Sequence, residues 1–299
     1  MTKISFGWIC NTVARQGTEI KDLSRENDRT IEHIAGIFPN LWFDDHFHKD
    51  NAPTLESWTY LTYITAKFPQ FTVGPLVMAQ SFRNPALIAK MTSTLQYLTG
   101  GRLILGIGAG WKEDEHLAYG YPFPPGKVRL EHLEDAVNII RTMWTQSPAS
   151  YEGMHLSIHQ AENQPLPNPV PPLLIGGLGE KVTLKLVAKY ADWMNFTFTD
   201  PDTYAHKMNV LRAHCQDVGR DFESIRKSVW AYVSITPDGE VPPEDKEGRF
   251  LVYGTPQQVT ETLRRYTDVG VTHFMLRFMD FPKFDGIDLF IEKVMPEFS

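Results

Sequence analysis

The sequence predicts a single α/β domain in which eight parallel strands and their helices close into a (β/α)8 barrel. Short apolar runs alternate with helical segments along most of the 299 residues, as expected when each strand of a parallel sheet returns through a helix. Several runs end in glycines or polar clusters, and the carboxyl ends of barrel strands are where such folds place their sites. Residues 1–299 are therefore expected to form one domain. A doubly wound open sheet is the alternative, but it would need about six strands and a second domain.

The elements are assigned from apolar runs and helical patterns that are bounded by turn residues, prolines and capping residues. The eight predicted strands cover residues 4–9, 41–43, 71–78, 103–105, 173–175, 193–196, 228–235 and 273–278. The predicted helices cover residues 21–37, 55–68, 85–98, 128–145, 180–190, 204–218, 256–268 and 287–294. Two insertions are expected, a long loop at 109–127 after strand four and a turn with a strand at 151–159 before strand five.

Composition excludes several functional classes. The net charge is -7, and basic tracts are absent, which argues against binding to nucleic acid or to an anionic membrane. No apolar run approaches the ~18 residues of a membrane span, and the amino terminus lacks a signal-peptide core. Cys10 and Cys215 lie far apart without the spacing of a metal site. A reduced, cytoplasmic protein is the expectation.

One stretch, GRLILGIGAGWKEDEHLAYG at 101–120, passes from a buried strand to a glycine turn and then to a polar loop. Its alternating glycines, Gly106, Gly108 and Gly110, would let a ligand approach the main chain. The stretch does not fit a dinucleotide fingerprint, because Trp111 stands where the third glycine of GxGxxG belongs. The alternative is that the glycines only tighten a turn.

A second polar cluster, from Asp44 to His48, follows the second strand directly. His46 can donate, accept or carry a proton near neutral pH, so it is a candidate for proton transfer. An orienting hydrogen bond without catalysis is the alternative. His46 and His48 also form the HxH pair of metal-dependent barrel hydrolases. Strands five and six lack histidine, so this is a remote alternative and no metal ligand is assigned.

The turn after strand five carries three glycines before a predicted helix start at Glu180. Unpaired N–H groups and the helix dipole favour an anion at such a position. Lys181 would add a full charge. The alternative is that the glycines serve packing and that Glu180 already uses the positive end of the helix.

Taken together, WFDDHF, the stretch at 101–120 and PPLLIGGLGEKVTLKLVAKYADWMNF resemble the superfamily of luciferase-like flavin monooxygenases and deazaflavin-dependent oxidoreductases. The resemblance runs over about residues 42–196 and is strongest to the branch that uses coenzyme F420. It implies a (β/α)8 barrel that holds a flavin or deazaflavin with its reactive ring at the carboxyl-terminal mouth.

The resemblance also implies roles for individual residues. Asp45 and His46 match a pair near the reactive edge of the ring, and Leu76 and Val77 match a non-prolyl cis peptide behind it. Trp111 stands where the deazaflavin sugar dehydrogenases carry Glu, which leaves the proton donor open. His46 is the expected catalytic residue, and the expected cofactor-binding residues are Asp45, His46, Leu76, Val77, Gly108, Ala109, Gly110, Trp111, Gly176, Gly177, Leu178 and Lys181.

The expected function is that of an oxidoreductase in which the bound cofactor performs the redox chemistry. Coenzyme F420 with hydride transfer to or from a small organic substrate is favoured, and FMN with oxygen is the alternative. A barrel that binds flavin without catalysis is the hypothesis from another class. The sequence leaves a homodimer open and does not name the substrate, whose pocket would be shaped by loops at 111–127 and 237–249.

Overall fold

The structure is a computed structural model that describes residues 3–14, 19–49, 52–239 and 250–298. Most of the predicted loop at 237–249 therefore lies outside the described residues. Within the described ranges no helix is both long enough and apolar enough to cross a bilayer.

The described strands and helices follow one another in the predicted α/β order. The strands are β1 (Ser5–Cys10), β2 (Asn40–Phe43), β3 (Thr72–Pro75), β4 (Met78–Ala79), β5 (Leu105–Gly108), β6 (Ala149–Glu152), β7 (Ser157–Ala161), β8 (Leu173–Gly176), β9 (Trp193–Thr197), β10 (Arg226–Ile235), β11 (Leu251–Gly254) and β12 (Val271–Phe278). The α-helices are α1 (Ile20–His33), α2 (Ser57–Lys67), α3 (Pro85–Thr99), α4 (Glu113–Ala118), α5 (Gly126–Thr145), α6 (Thr183–Tyr190), α7 (Pro201–Asp217), α8 (Pro256–Asp268) and α9 (Asp285–Lys293).

Ten strands form one parallel sheet that closes on itself. Neighbouring strands follow the order β3-β2-β1-β12-β10-β9-β8-β5-β4. The sheet closes because Val73 in β3 forms a parallel bridge with Leu103, just before β5, and because β4, which follows β3 directly in the chain, pairs with β5. The predicted (β/α)8 barrel is thus confirmed, and its strands deliver their carboxyl ends to one face.

The strand count needs two corrections. The predicted third strand at 71–78 is divided into β3 and β4, which flank a cis peptide between Leu76 and Val77. β11 is an additional strand that pairs with β10 outside the closed path. The predicted cis peptide is confirmed.

The two insertions and one helix start also differ from the sequence-based assignment. The loop at 109–127 contains the short helix α4, and the strand at 151–159 is a hairpin of β6 and β7. The helix predicted from Glu180 begins at Thr183. Glu180 instead turns toward α7, because its carboxylate pairs with Lys207 at 2.6 Å and its carbonyl accepts a hydrogen bond from His214.

Large side chains fill the lumen of the barrel. Space for Trp42 depends on Gly7 and Gly74, where an added Cβ would lie 2.5 and 2.6 Å from the indole. Packing of this kind closes the middle of the barrel and leaves open space only beyond the strand ends. The interior cluster consists of Ile9, Trp42, Leu76, Ile104, Leu174, Trp193 and Met275.

Candidate active site

A cavity of about 1700 Å³ lies at the carboxyl ends of the barrel strands. Gly108, Gly176, Thr197 and Phe278, which end four different strands, all line it. Pockets for one drug-sized ligand measure roughly 300–1000 Å³, so this cavity has room for two molecules side by side. The predicted residues that line it are Asp45, His46, Leu76, Val77, Gly108, Ala109, Gly110, Trp111, Gly176, Gly177 and Leu178. Lys181 is exposed and lies outside the lining.

His46 and Glu115 form a hydrogen-bonded pair at the cavity wall. Nδ1 of His46 lies 2.9 and 3.1 Å from the two carboxylate oxygens of Glu115. A carboxylate can only accept, so Nδ1 carries the proton that is donated to it. In the described part of the chain Nε2 has no hydrogen-bond partner in the protein. The neutral ring therefore presents Nε2 as a base.

The environment of the pair shifts both protonation equilibria toward the charged forms. Burial lowers the pKa of His46, but its hydrogen bond to Glu115 and the charges of Asp44, Glu115 and Asp45 raise it above its ordinary value of 6.5. Burial raises the pKa of Glu115, but its hydrogen bond with His46 and the nearby positive charges hold it below 4.5. The carboxylate stays charged and the imidazole becomes a stronger base.

The start of α4 holds Glu115 in place. The Lys112 ammonium lies 3.4 Å from Glu115 and donates to the carbonyl of His48 at 3.1 Å. The next residue, His116, is fully buried and donates from Nδ1 to the Lys112 carbonyl at 2.8 Å. Ser81 Oγ bonds Nε2 of the same ring at 2.7 Å. These contacts fix the first turn of a helix that is only six residues long.

Asp45 has a structural role. Its carboxylate accepts two hydrogen bonds from Arg83, at 2.8 and 3.0 Å, and one from the backbone N–H of Ala79 at 2.9 Å. Arg83 also contacts Glu56, which caps the amino terminus of α2. Both oxygens of Asp45 are therefore committed to the protein, so a cofactor contact by this carboxylate stays a prediction without further support.

Val77 forms a ledge at the floor of the cavity, next to the cis peptide. An added Cβ at Gly108 would lie 2.9 Å from a Val77 methyl group, and one at Gly176 also 2.9 Å. An added Cβ at Gly106 would lie 2.1 Å from the carbonyl oxygen of Pro75. The glycines thus make room for the bulged backbone and the Val77 side chain, and they leave a floor without side chains of their own.

The turn after β8 borders the cavity through Gly176, Gly177, Leu178 and Thr183. Gly177 has φ +132°, and its N–H donates to the carbonyl of Asn195 at 3.3 Å. In the described residues, the N–H groups from 178 to 183 donate to no protein acceptor. Of these residues Leu178 and Thr183 line the cavity, and free donors at a cavity wall suit an anionic group.

A polar wall stands opposite, formed by residues that lie in β10 and β12 or directly follow β1 and β2. Asp44 pairs with Arg277 at 2.9 Å, and Arg277 also donates to the carbonyl of Cys10 at 2.9 Å. Within the described residues four buried atoms of this wall lack a hydrogen-bond partner. Buried polar atoms in native proteins are nearly always paired with protein, water or ligand. The four atoms are Asn11 Nδ2, Asp44 Oδ1, Trp230 Nε1 and Arg277 Nε.

Sequence reasoning missed the carboxylate of the main pair. Glu115 lies in the predicted loop at 109–127 beside two other acidic residues, a context typical of solubilising side chains, but it is nearly inaccessible to solvent. No local signal separates it from Glu113 and Asp114, which are exposed in the same helix. Arg277 and Asn195 were not singled out, and single polar residues inside apolar strands gave little indication of a site.

In the described part of the chain the HxH pair, His46 and His48, has no further side chains around it that would complete a metal site. There, no group of three or more His, Cys, Asp or Glu side chains is arranged to hold a metal ion. His46 is engaged by Glu115, and the ring of His48 stacks 6.1 Å from Tyr119.

The protein is a closed (β/α)8 barrel with a large cavity and a histidine–carboxylate pair at the carboxyl ends of its strands. These features are those of a barrel enzyme. The model of the luciferase-like monooxygenase family matches residues 35–245. The chain therefore belongs to the luciferase-like monooxygenase family.

Curated relatives and solved structures agree with this assignment. The chain is 27% identical to a protein of Kineococcus radiotolerans named F420-dependent glucose-6-phosphate dehydrogenase, over 79% of this chain and 81% of that protein. A solved F420-dependent secondary alcohol dehydrogenase, in complex with an F420-acetone adduct, superposes with a TM-score of 0.84 at 20% identity and 99% coverage of both chains. The EDTA monooxygenase of Chelativorans sp. BNC1 gives 0.81 at 14% identity, over 99% and 93%. At these identities the solved structures show a shared fold alone.

Proposed function

We propose that the protein binds coenzyme F420 in the large cavity and transfers hydride to or from a small organic substrate, with FMN as the alternative cofactor. As a member of its family the chain is an oxidoreductase. The observation that carries the proposal is the His46–Glu115 pair at the wall of a cavity sized for cofactor and substrate together. The curated relatives named as F420-dependent favour the deazaflavin.

The residues around the cavity fit a flat, ring-shaped group with an anionic tail. The Val77 ledge and the glycine floor offer a surface without projecting side chains. Gly177, Leu178 and Thr183 border the cavity where free N–H groups can bind a phosphate or carboxylate. A bound deazaflavin or flavin would supply the hydride donor or acceptor that protein side chains lack.

His46 would handle the proton that accompanies hydride transfer. Oxidation of an alcohol releases its hydroxyl proton, and the neutral ring can accept that proton at Nε2. Glu115 holds the ring by Nδ1 and stabilises the imidazolium that results. In the reverse direction the protonated ring donates to a carbonyl oxygen. A positioned acid or base of this kind contributes about 10²–10⁴-fold in rate.

The polar wall would bind the substrate. Asn11 and Trp230 each present an N–H without a protein partner, and Asp44 presents an acceptor oxygen. All three residues line the same cavity as His46. Donors and acceptors arranged in this way suit oxygen atoms of a substrate next to the reacting carbon.

The test is equilibrium titration of the purified protein with F420 and FMN, each oxidised and reduced, followed by two turnover assays. Anaerobic reduction of F420 by a panel of alcohols and sugar phosphates would support the proposal. Oxygen consumption with reduced FMN would support the alternative, which the family's monooxygenase members favour. Lys189→Ala should leave binding unchanged, because Lys189 pairs with Glu134 on α5, away from the cavity lining. Failure to bind either cofactor would refute both assignments.

A further inference from the structure

A second cavity, of about 550 Å³, lies at the other end of the barrel. Leu173, Trp193 and Arg226 line it, and these residues are the first of β8, β9 and β10. The large cavity borders the opposite ends of β8 and β9, so the two spaces are separate. The volume falls within the range of roughly 300–1000 Å³ that holds one small ligand.

Arg226 brings a positive charge into this cavity and has no counter-charge among the residues that the structure describes. Its guanidinium lies 4.2 Å from the ring of Trp193, and its Nε is buried without a hydrogen-bond partner. In the described part of the chain no carboxylate lies within salt-bridge distance of Arg226. Burial lowers the pKa of this guanidinium. A partly buried charge that lacks an opposite charge costs stability, and a bound anion would reduce that cost.

A chain of hydrogen bonds holds the guanidinium in one orientation. Trp42 Nε1 donates to His273 Nε2 at 3.1 Å, so the proton of the neutral His273 ring is on Nδ1. That Nδ1 lies 2.7 Å from Ser5 Oγ, which also accepts from Arg226 Nη2 at 2.6 Å. Burial and the charge of Arg226 hold the pKa of His273 well below its ordinary value, which keeps this ring neutral. Nη1 of Arg226 is left to donate to a ligand.

The remaining walls supply a second cation and apolar surface. Arg141 of α5 lines the cavity 5.5 Å from the Tyr190 ring, and no described carboxylate pairs with it. Among the described lining residues Asp192 is the one carboxylate, and its Oδ2 accepts from the Leu173 N–H at 2.9 Å. Trp144, Val170, Pro171 and Pro172 line the rest of the apolar surface. Two cations therefore face one carboxylate that is already bonded.

We propose that this cavity is a binding site for a small organic anion, whose carboxylate or phosphate pairs with Arg226 and Arg141 while its apolar part packs against Trp144 and the two prolines. The planar guanidinium suits two-point contact with either group. The site is independent of the proposed redox function, because it shares no residue with the large cavity.

Calorimetric titration with benzoate and with phenyl phosphate tests the proposal. The parent protein should bind at least one probe saturably, with the stronger probe identifying the preferred anion, and benzylamine should not bind. Arg141→Gln should weaken binding at least about 10-fold, as expected for loss of a charge-assisted contact. Arg226→Gln should abolish it. His46→Gln, at the other end of the barrel, should leave it unchanged.

Arg141 is exposed and its side chain makes no hydrogen bond in the described residues, so its variant is expected to fold even if Arg226→Gln does not. Arg212→Gln, which removes an exposed arginine elsewhere, is the matched control. The proposal is overturned if the parent binds neither probe, if Arg141→Gln binds as tightly as the parent, or if His46→Gln loses probe binding together with cofactor binding. The last outcome would place the probes in the large cavity.

Discussion

Glu115→Gln is expected to slow hydride transfer and to move its pH dependence. Glutamine keeps the shape of the side chain but removes a charge whose oxygens lie 2.9 and 3.1 Å from His46 Nδ1. A hydrogen bond to a charged group is worth about 1.5–3 kcal/mol, against about 0.5–1.5 for a neutral one. The loss of about 1–2 kcal/mol from the transition state corresponds to roughly 5- to 30-fold in kcat.

The direction of the pH shift follows from the pKa of His46. Glu115 helps to raise that pKa above 6.5, so the neutral ring that accepts a substrate proton forms only at higher pH. In Glu115→Gln the pKa falls, and the rising limb of alcohol oxidation should move to lower pH. Carbonyl reduction needs the protonated ring, so its falling limb should move in the same direction.

The assay is the pH profile of F420 reduction by an alcohol, measured for parent and variant under anaerobic conditions. Asp114→Asn is the matched control, because it removes the same charge from the same helix at a side chain that is 62% exposed. The control should follow the parent profile. If Glu115→Gln gives the profile of the parent, His46 does not titrate under the influence of Glu115 and the proposed role of the pair is refuted.

The other predictions concern the glycines beside Val77, the turn after β8 and the pair of Asp45 with Arg83. Gly108→Ala should weaken cofactor binding at least about 10-fold, because its Cβ would meet Val77 at 2.9 Å, and added Val77→Ala should restore part of the affinity in the same titration. Gly177→Asp should bind the cofactor at least about 10-fold more weakly than Gly177→Ala, since both share the strain of φ +132° and only Asp adds a negative charge; equal affinities would place the anionic tail elsewhere. Asp45→Asn should lower the free energy of unfolding, measured in urea, by about 3–5 kcal/mol, because it breaks a buried pair with Arg83. If the variant instead loses cofactor affinity and keeps its stability, Asp45 contacts the cofactor, as the resemblance implies.

The strand–helix order was predictable because each barrel strand is buried on both faces and leaves a continuous apolar run. The division of the third strand was not visible in the pattern, since apolar residues continue through Leu76 and Val77; the cis peptide came from the resemblance. The helix start was misplaced at Glu180 because an acidic residue after glycines is a normal helix signal. Its partner Lys207 lies 27 positions away, where local patterns carry no information.

The site was predictable to the level of which strand ends meet, but not to the level of which atoms remain free. Asp45 and His46 are neighbours in sequence and both line the cavity, but the Asp45 carboxylate is saturated by Arg83 and Ala79 whereas the His46 ring keeps Nε2 free of protein partners in the described residues. The glycines at 106 and 108 had two candidate explanations, ligand approach and packing. The structure shows that the glycines pack against Pro75 and Val77. Because the resulting floor has no side chains of its own, a ligand can still approach it.

The open question of the proton donor gains a physical answer from α4. Where the resembling sugar dehydrogenases carry Glu, Trp111 places an indole 6.0 Å from the His46 ring at an angle of 86°. Glu115, four residues later in the chain, accepts a hydrogen bond from Nδ1 of the same histidine. In the proposed mechanism the carboxylate would therefore act on the base and not on the substrate, and the exposed indole would stand where the resemblance places an acid. Under the proposed function, His46 Nε2 is the group through which a substrate proton would enter or leave. The pKa of His46, which Glu115, Asp44 and Asp45 raise against the effect of burial, would then set the pH range in which each direction of the reaction is fastest.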